Sequence, residues 1–440
     1  MSNTVYGTRV SRIRLSILAL IFTQTMFAQE TDVKYGVSEG TESYPSAYFQ
    51  QYNPQSALDL VERIPGFRIN RGAIRRGIGG SAGNVLVNSA RPLSKSGGLE
   101  DALQRINASS VVRVDLIRGA ASSSEAEGQS IVANVVTNTG KLSTHWLVRI
   151  EDASYEKINS SGQLVLSKGI LGWDTATSVR TSFRRRPLSG TRIALDKLHS
   201  TQLVEQENSL SETRNVVFSS TASKIIDEDT FNLNVRISDY SLDRNTQRLG
   251  FGNVNLSGEE NQRRNIEFAR SRKDGELALD WPRNLGANWT SKVLTLASFE
   301  ETSRNTLSQF QHPSDQLQSV SNFINNQEKY EGVLRGVLEN NRSTVLTSRI
   351  SGEIAYNNLD SDLLLTVDDA DGFNNIALPT ANVVVEEVRS QLLAELTWKA
   401  SEGLIVEAGI AAEYSEISVA GDATSTQSFF FAKPFLSLIR

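Results

Sequence analysis

Cysteine is missing from all 440 residues, so the chain has neither disulfide bonds nor thiolate metal ligands. Its three histidines, His145, His199 and His312, are scattered, which argues against a histidine-based metal site. After the N-terminal region no apolar run is long enough for a membrane-spanning helix. Any membrane contact must therefore be made by strands or by the protein surface. A net charge of -5 without a basic cluster argues against nucleic acid as a partner.

The N-terminus has the pattern of a secretory signal. Three arginines precede an apolar run over residues 15–27, and the small Ala28 is followed by the polar Gln29. The run of about thirteen residues is shorter than the roughly twenty that a transmembrane helix needs. We therefore predict a signal peptide over residues 1–28.

From about residue 141 the sequence is typical of strands of roughly ten residues with alternating polarity. In FNLNVRIS, Phe231, Leu233, Val235 and Ile237 share one face, and polar residues share the other. A water-soluble β-sandwich shows the same alternation, so alternation alone does not place these strands in lipid.

The lengths of the connections are more specific, because short and long ones alternate. We predict short turns near 170–172, 225–229, 282–288, 340–343 and 399–403, and long polar loops near 185–213, 242–262, 301–326, 357–380 and 418–426. Up-and-down outer-membrane barrels sort their connections in this way. All five tryptophans fall at the short-turn rim, as expected of residues at a membrane boundary: Trp146, Trp173, Trp281, Trp289 and Trp398. Residues 141–440 are thus predicted to form part of a transmembrane antiparallel β-barrel, with about twelve strands.

Residues 44–140 differ from the rest of the chain, because their patterns predict short helices and short strands in alternation. They contain three blocks in order: NPQSALDLVERIPGFRI, IRRGIGGSAGNVLVNSARPLSKSGGLEDALQRI and VVRVDLIRGAASSSEAEGQSIVANVVTN. These blocks resemble the plug domain of TonB-dependent outer-membrane receptors. The residues alone predict a helix from Ala57 that ends at Pro65-Gly66, strands at NVLVN and VVRVDLIRG, and an amphipathic helix at SGGLEDALQRI. The fold class predicted is mainly β, a barrel preceded by a small α+β plug.

The resemblance implies that the protein is a receptor in the bacterial outer membrane, in contact with its lipid. An external ligand, such as an iron chelate, cobalamin or an oligosaccharide, would bind above the plug. TonB, with its inner-membrane energising complex, would then pull on a segment of a periplasmic leader at 29–43 by pairing with an extended strand. The candidate segment is Thr31, Asp32, Val33, Lys34 and Tyr35.

The resemblance also implies how the plug is seated. Arg76 and Arg118 match the plug arginines that the family pairs with acidic residues on the inner barrel wall. The matching would allow bidentate, charge-assisted hydrogen bonds inside a narrow lumen. Ser89 departs from the pattern, because the family usually has glycine after the LVN strand.

A rival motif is GGSAG at 79–83, which fits the nucleophile elbow of a hydrolase with Ser81 as nucleophile. An elbow lies between a strand and a helix, whereas here a glycine-rich loop precedes and the strand NVLVN follows. We therefore predict no enzyme activity, no catalytic residue and no cofactor. The basic stretch FRRRPLSGTR at 183–192 would favour an anionic ligand, but it predicts no specific site.

About twelve strands are fewer than the roughly 22 of plugged transporters, and a barrel so narrow has no room for a plug. The expectation is that the chain is the N-terminal part of a longer receptor. Two alternatives stay open: a truncated receptor that does not transport, and an exported, soluble β-rich protein that binds carbohydrate.

Overall fold

The computed structural model contains two β-sheets, one of five strands and one of thirteen. None of the helices described is long and apolar enough to cross a membrane. The predicted signal peptide and the TonB-contact candidate fall outside the described residues, which are 36–38, 41–71, 83–92, 98–118, 129, 131–138, 142–152, 158–195, 201–227, 229–251, 260–311, 317–341, 343, 345–401 and 404–439.

The smaller sheet and three helices lie mainly in the stretch predicted as a plug, and we call this unit the plug. The strands are β1 Gly36–Ser38, β2 Thr41–Pro45, β3 Val85–Val87, β4 Val111–Arg118 and β5 Ile131–Thr137, in the spatial order β1-β2-β4-β5-β3. The helices are α1 Ser46–Phe49, α2 Ala57–Val61 and α3 Gly98–Gln104, with 3-10 turns at 50–52 and 108–110. The sheet begins within the leader predicted over 29–43.

Local sequence explains the plug elements. Ser56 caps α2 through a capping box with Asp59, and Gly66 takes φ +69° in the turn that follows the helix. Leu60, Leu103 and other apolar side chains on the inner faces of α2, α3 and β4 are buried in one core. The helices and strands predicted here are present, but α2 ends at Val61, before the Pro65-Gly66 pair at which its end was predicted.

Ser89, the predicted departure, lies in a tight turn that follows β3. Asn88 and Ser89 both have positive φ, 49° and 65°, and Val87 and Ala90 exchange two backbone hydrogen bonds, so the turn has the type I′ form. The Ser89 amide donates to Asn134 Oδ1 at 2.8 Å. This bond helps a non-glycine residue to occupy the left-handed conformation.

The larger sheet confirms the predicted antiparallel architecture. Twelve of its strands follow one another as hydrogen-bonded neighbours from β6 to β18, and β15 pairs only with β14. The strands are β6 Ser143–Asp152, β7 Ile158–Ile170, β8 Trp173–Leu195, β9 Thr201–Ile226, β10 Asp229–Phe251, β11 Glu260–Gly286, β12 Trp289–Gln311, β13 Leu317–Asn340, β14 Leu346–Asp369, β15 Gly372–Ile376, β16 Asn382–Ser401, β17 Leu404–Gly421 and β18 Ser425–Ile439.

One strand ends and the next begins at each of the five predicted short turns, whereas the predicted long loops are wrong. Most residues assigned to those loops extend the strands, which reach 26 residues in β9 and 27 in β11. The sequence FRRRPLSGTR, for example, lies within β8 and not in a loop. These extensions have polar residues on both faces, so no alternation marks them. Their backbones satisfy their own hydrogen bonds by pairing with the neighbouring strand.

The larger sheet has two distinct faces, which we call the plug face and the outer face. The plug face carries Arg180 and Asn234, whose side chains contact the plug. The outer face is apolar and exposed: Ile354 is 60% accessible and Leu392 is 66% accessible. An exposed apolar surface of this extent marks an interaction site.

Aromatic residues bound the apolar part of the outer face. One row at the short turns includes Trp289 and Trp398, and a second row includes Phe299, Tyr330 and Tyr356. On β12, β13, β14 and β16 the outward positions between the two rows carry no charged residue. The rows are about ten residues apart, the length with which a tilted strand crosses a bilayer.

Candidate functional site: the interface between plug and wall

Helix α3 attaches the plug to the sheet wall. Arg180 of β8 donates one hydrogen bond to Asp101 Oδ1 at 2.8 Å and another to Gln104 Oε1 at 2.5 Å. Asp101 and Gln104 are three residues apart and lie on the same face of the helix. A single guanidinium therefore binds two successive side chains of α3 in a charge-assisted contact.

Arg105 follows directly and is the most deeply buried charge of this contact. Its side chain is 3% exposed, and its Nη2 donates to Asn234 Oδ1 of β10 at 3.4 Å. Burial lowers the pKa of Arg105, and the nearby Asp101 carboxylate partly opposes that shift. The guanidinium nevertheless keeps its charge at neutral pH because arginine starts from a very high pKa.

The predicted seating arginines do not make this contact in the described structure. Arg118 lies in β4, and its nearest acidic partner is Glu42 of the neighbouring plug strand at 3.7 Å. Arg76 falls outside the described residues. The role predicted for both in seating the plug therefore stays a prediction.

Sequence reasoning missed Asp101, Gln104, Arg105 and Arg180. A signal was present in LEDALQRI, where three polar residues at helical spacing oppose the buried Leu99 and Leu103. That signal shows a polar helix face, but it does not show that an arginine more than seventy residues later in the chain faces it. The sheet register alone brings Arg180 to this position.

A cavity of about 340 Å³ lies beside Arg105, between the plug and strands β7 to β11. Its lining includes Ala102, Asn232, Asn234 and Ala278. In this lining, Arg105 Nε, Asn232 Nδ2 and Asn234 Nδ2 are buried donor atoms without a hydrogen-bond partner among the described residues. A polar cavity of this size has room for water molecules that could accept hydrogen bonds from these donors.

Farther from the short turns, the plug face is rich in arginine. Arg248 pairs directly across strands with Arg264, and Arg270 pairs with Arg304. Like charges in direct cross-strand register are destabilising. Glu207 compensates Arg248 at 2.8 Å, but none of the other three arginines has an ion-pair partner within the described part of the chain.

Aromatic rings hold several of these guanidinium groups in place. Arg244 lies 5.9 Å from the Phe268 ring centroid, and Arg270 and Arg272 both lie 5.9 Å from that of Tyr240. Such cation–π contacts orient the guanidinium groups without neutralising them. The resulting surface, which we call the arginine surface, comprises Arg244, Arg264, Arg270 and Arg304. Arg272 is not part of it, because its Nε pairs with Asp274 at 3.2 Å. The excess positive charge of the arginine surface suits an anionic ligand.

The sheet wall also contains buried ion pairs between its own strands. Arg236 pairs with Asp274, and Arg389 of β16 pairs with Glu353 of β14. These side chains are at least 88% buried, and breaking one partner would leave an uncompensated charge. The pairs fix the wall and are not part of the ligand surface.

The structure does not test the hydrolase motif GGSAG at 79–83, which the sequence analysis rejected. Ser81 lies outside the described residues, as do His199 and His312, and His145 is a half-buried residue of β6. Across the ranges that the structure describes, no group of three histidine or acidic side chains is arranged to hold a metal ion.

No protein-family model and no curated protein matches the sequence. Among solved structures, the chain is similar to the siderophore receptor PiuA from Acinetobacter baumannii, with 12% identity and a TM-score of 0.37, over 91% of this chain and 61% of PiuA. It is similar to the copper transporter OprC, with 13% identity and a TM-score of 0.41, over 91% of this chain and 60% of OprC. The chain thus spans less than two thirds of either protein. Both are TonB-dependent receptors, the family that the sequence resembles.

Proposed function

We propose that the protein is an outer-membrane receptor that takes up a scarce, anionic ligand with energy from TonB. The proposal includes the signal peptide at 1–28, the leader at 29–43, the plug at 44–140 and the barrel part at 141–440. It also includes the absence of enzyme activity. An anionic iron chelate fits better than cobalamin or a neutral oligosaccharide.

The observation that carries the membrane location is the charge-free outer face between two aromatic rows. A soluble sandwich would cover such a face with a second sheet, and the plug occupies only the opposite face. The height of the band, about ten residues per strand, suits a bilayer. The aromatic rows then lie at its two boundaries.

The ligand class rests on the arginine surface. Arg270 and Arg304 oppose each other without an acidic partner among the described residues, so an anion bound between them would remove their repulsion. Guanidinium groups bind carboxylate and similar planar anions through paired hydrogen bonds. The arginine surface lies on the plug face, and it is farther from the short turns than α3 is. A ligand held there would have to pass the plug to reach the periplasm.

TonB would act on the contact of α3 with the wall. Pulling on the segment from Thr31 to Tyr35 would load the N-terminal side of the plug sheet. The Arg180 contacts, partly exposed to solvent, would then have to open before the plug could move away from β8 and β10. We keep Arg76 and Arg118 as additional candidates for seating the plug.

The experiment combines localisation with uptake. Cells that express the protein with and without functional TonB are fractionated and supplied with ⁵⁵Fe-citrate, cyanocobalamin or maltohexaose. We expect the protein in the outer membrane and TonB-dependent accumulation of the anionic iron chelate alone. Outer-membrane location without any TonB-dependent uptake would favour the truncated receptor. A soluble periplasmic product that binds maltohexaose would favour the exported carbohydrate-binding protein.

A further inference from the structure

The outer face carries a compact aromatic cluster at the short turns of β8 to β11. Phe231 lies between Trp173 and Trp281, with ring centroids 5.9 Å and 6.3 Å away. Both contacts are close to perpendicular, at 80° and 73°. Edge-to-face packing of this kind holds the three rings in fixed positions. The cluster offers a rigid apolar platform at the predicted membrane boundary.

Two cations flank this platform. Lys224, the direct cross-strand partner of Phe231, has its Nζ 5.6 Å from the centroid of the Trp173 ring. The Arg283 guanidinium lies 5.1 Å from the centroid of the Trp281 ring. Other tryptophans of the same rim, Trp289 and Trp398, have no such cation among the described contacts. The cations therefore distinguish this cluster from an ordinary aromatic row.

Acidic groups lie farther from the membrane band. Asp227 is exposed in the turn between β9 and β10, three residues beyond Lys224. Asp229 pairs with Arg283 at 3.5 Å and accepts a hydrogen bond from the Asn284 amide. Lys224 is in register with Phe231, and Asp229 lies beside Arg283, so Asp227 in the turn is the charged group farthest from the apolar band.

We propose that this surface is a binding site for one phospholipid with a zwitterionic headgroup that carries a primary ammonium, namely phosphatidylethanolamine. The acyl chains would lie against the three rings, and the phosphate would accept hydrogen bonds from Lys224 and Arg283. The ammonium, which lies farther from the acyl chains than the phosphate does, would donate to Asp227. The order of phosphate and ammonium in the headgroup matches the order of Lys224 and Asp227 on the protein.

Other headgroups fit less well. Phosphatidylglycerol has the same phosphate but no cation for Asp227. Phosphatidylcholine has a cation, but its trimethylammonium group has no hydrogen to donate. Free phosphate would make no use of the aromatic platform. The inference rests on the proposed membrane location, because only there would the rings meet acyl chains.

The test uses the full chain in nanodiscs that contain equal parts of the three phospholipids, followed by native mass spectrometry of the lipid retained. We expect phosphatidylethanolamine to be retained preferentially. Lys224→Gln should reduce its retention by about fivefold, the effect of one basic residue at a lipid surface. Asp227→Asn should leave total lipid retention unchanged and abolish the preference over phosphatidylcholine. Lys399→Gln, at the same rim but next to Trp398 on the plug face, is the control and should have no effect.

Retention without headgroup preference, or equal effects of Lys224→Gln and Lys399→Gln, would overturn the inference. Competition by inorganic phosphate would point to a simple anion site and would overturn it as well. A chain that does not enter nanodiscs at all would instead contradict the proposed membrane location. The two failures are therefore distinguishable.

Discussion

Removal of the Asp101 carboxylate should loosen the plug on the side of α3. Asp101→Asn removes the charge from a pair whose side chains are 24% and 33% exposed. An exposed ion pair contributes at most about 1 kcal/mol, and a buried charge-assisted hydrogen bond about 1.5–3 kcal/mol. For this intermediate burial we expect about 1 kcal/mol, which is about a fivefold increase in the population that is open at α3. Arg180→Gln also weakens the contact with Gln104, so we expect about 2 kcal/mol, or about thirtyfold.

The absence of cysteine makes this opening measurable. Ala278→Cys places a single thiol in the cavity beside α3, at a position that is 1% exposed. Its rate of modification by N-ethylmaleimide reports the open population, provided that closing is faster than modification. Asp101→Asn should raise the rate about fivefold and Arg180→Gln about thirtyfold. Combining both substitutions should add little beyond Arg180→Gln, since they break the same contact.

Glu100→Gln provides the matched control. Glu100 precedes Asp101 in α3, but it pairs at 2.6 Å with Arg71, which belongs to the plug itself. Its loss should leave the modification rate unchanged. A second control, Ala411→Cys on β17, should show no response to any of these substitutions. If Glu100→Gln accelerated modification as much as Asp101→Asn did, the effect would be a general weakening of α3. The role of Arg180 in attaching the plug would then be refuted.

Three further outcomes are expected. Leu392→Arg, in the middle of the apolar outer face, should destabilise the protein in vesicles by about 2–4 kcal/mol. Val388→Arg, at the membrane boundary, should destabilise it by at most about 1 kcal/mol. Equal destabilisation by the two substitutions in urea titrations would contradict a bilayer at this face. Gly66→Ala should destabilise the plug by about 1 kcal/mol, because φ there is +69° and no atom within 4 Å would contact the added methyl group; an unchanged urea midpoint would contradict this. Burial and the Glu42 carboxylate raise the pKa of Tyr44. The stability of the plug should therefore be constant below about pH 10 and fall above it. Tyr44→Phe should remove that fall when unfolding is measured as a function of pH.

Much of the fold could be predicted because it depends on local patterns. Pro65-Gly66 marks the turn that follows α2, and the alternation at FNLNVRIS marks the part of β10 that contributes to the apolar band. The outer halves of the strands could not be predicted, because their residues are polar on both faces and only pairing with a neighbour makes them strands. Their polar composition therefore predicts loops at positions where the strands in fact continue.

The candidate site was harder to predict, because it depends on contacts between residues distant in the chain. Arg180 meets Asp101 only when the plug is placed against β8, and the opposition of Arg270 and Arg304 requires the register of β11 and β12. The resemblance directed attention to Arg76 and Arg118, which are arginines of the plug. In the described contact the arginine on the wall binds an acid on the plug, the opposite arrangement of charge.

The long strands have a consequence for how such a protein changes its ligand. Their outer halves are held by backbone pairing, and their side chains contact neither the plug core nor the apolar band. Substitutions at positions such as Arg244, Arg264 or Arg304 can therefore change the chemistry of the proposed ligand surface at little cost in folding. The scaffold separates adaptable positions from those that maintain the structure, so new ligand preferences can evolve by point substitution without insertion of new loops.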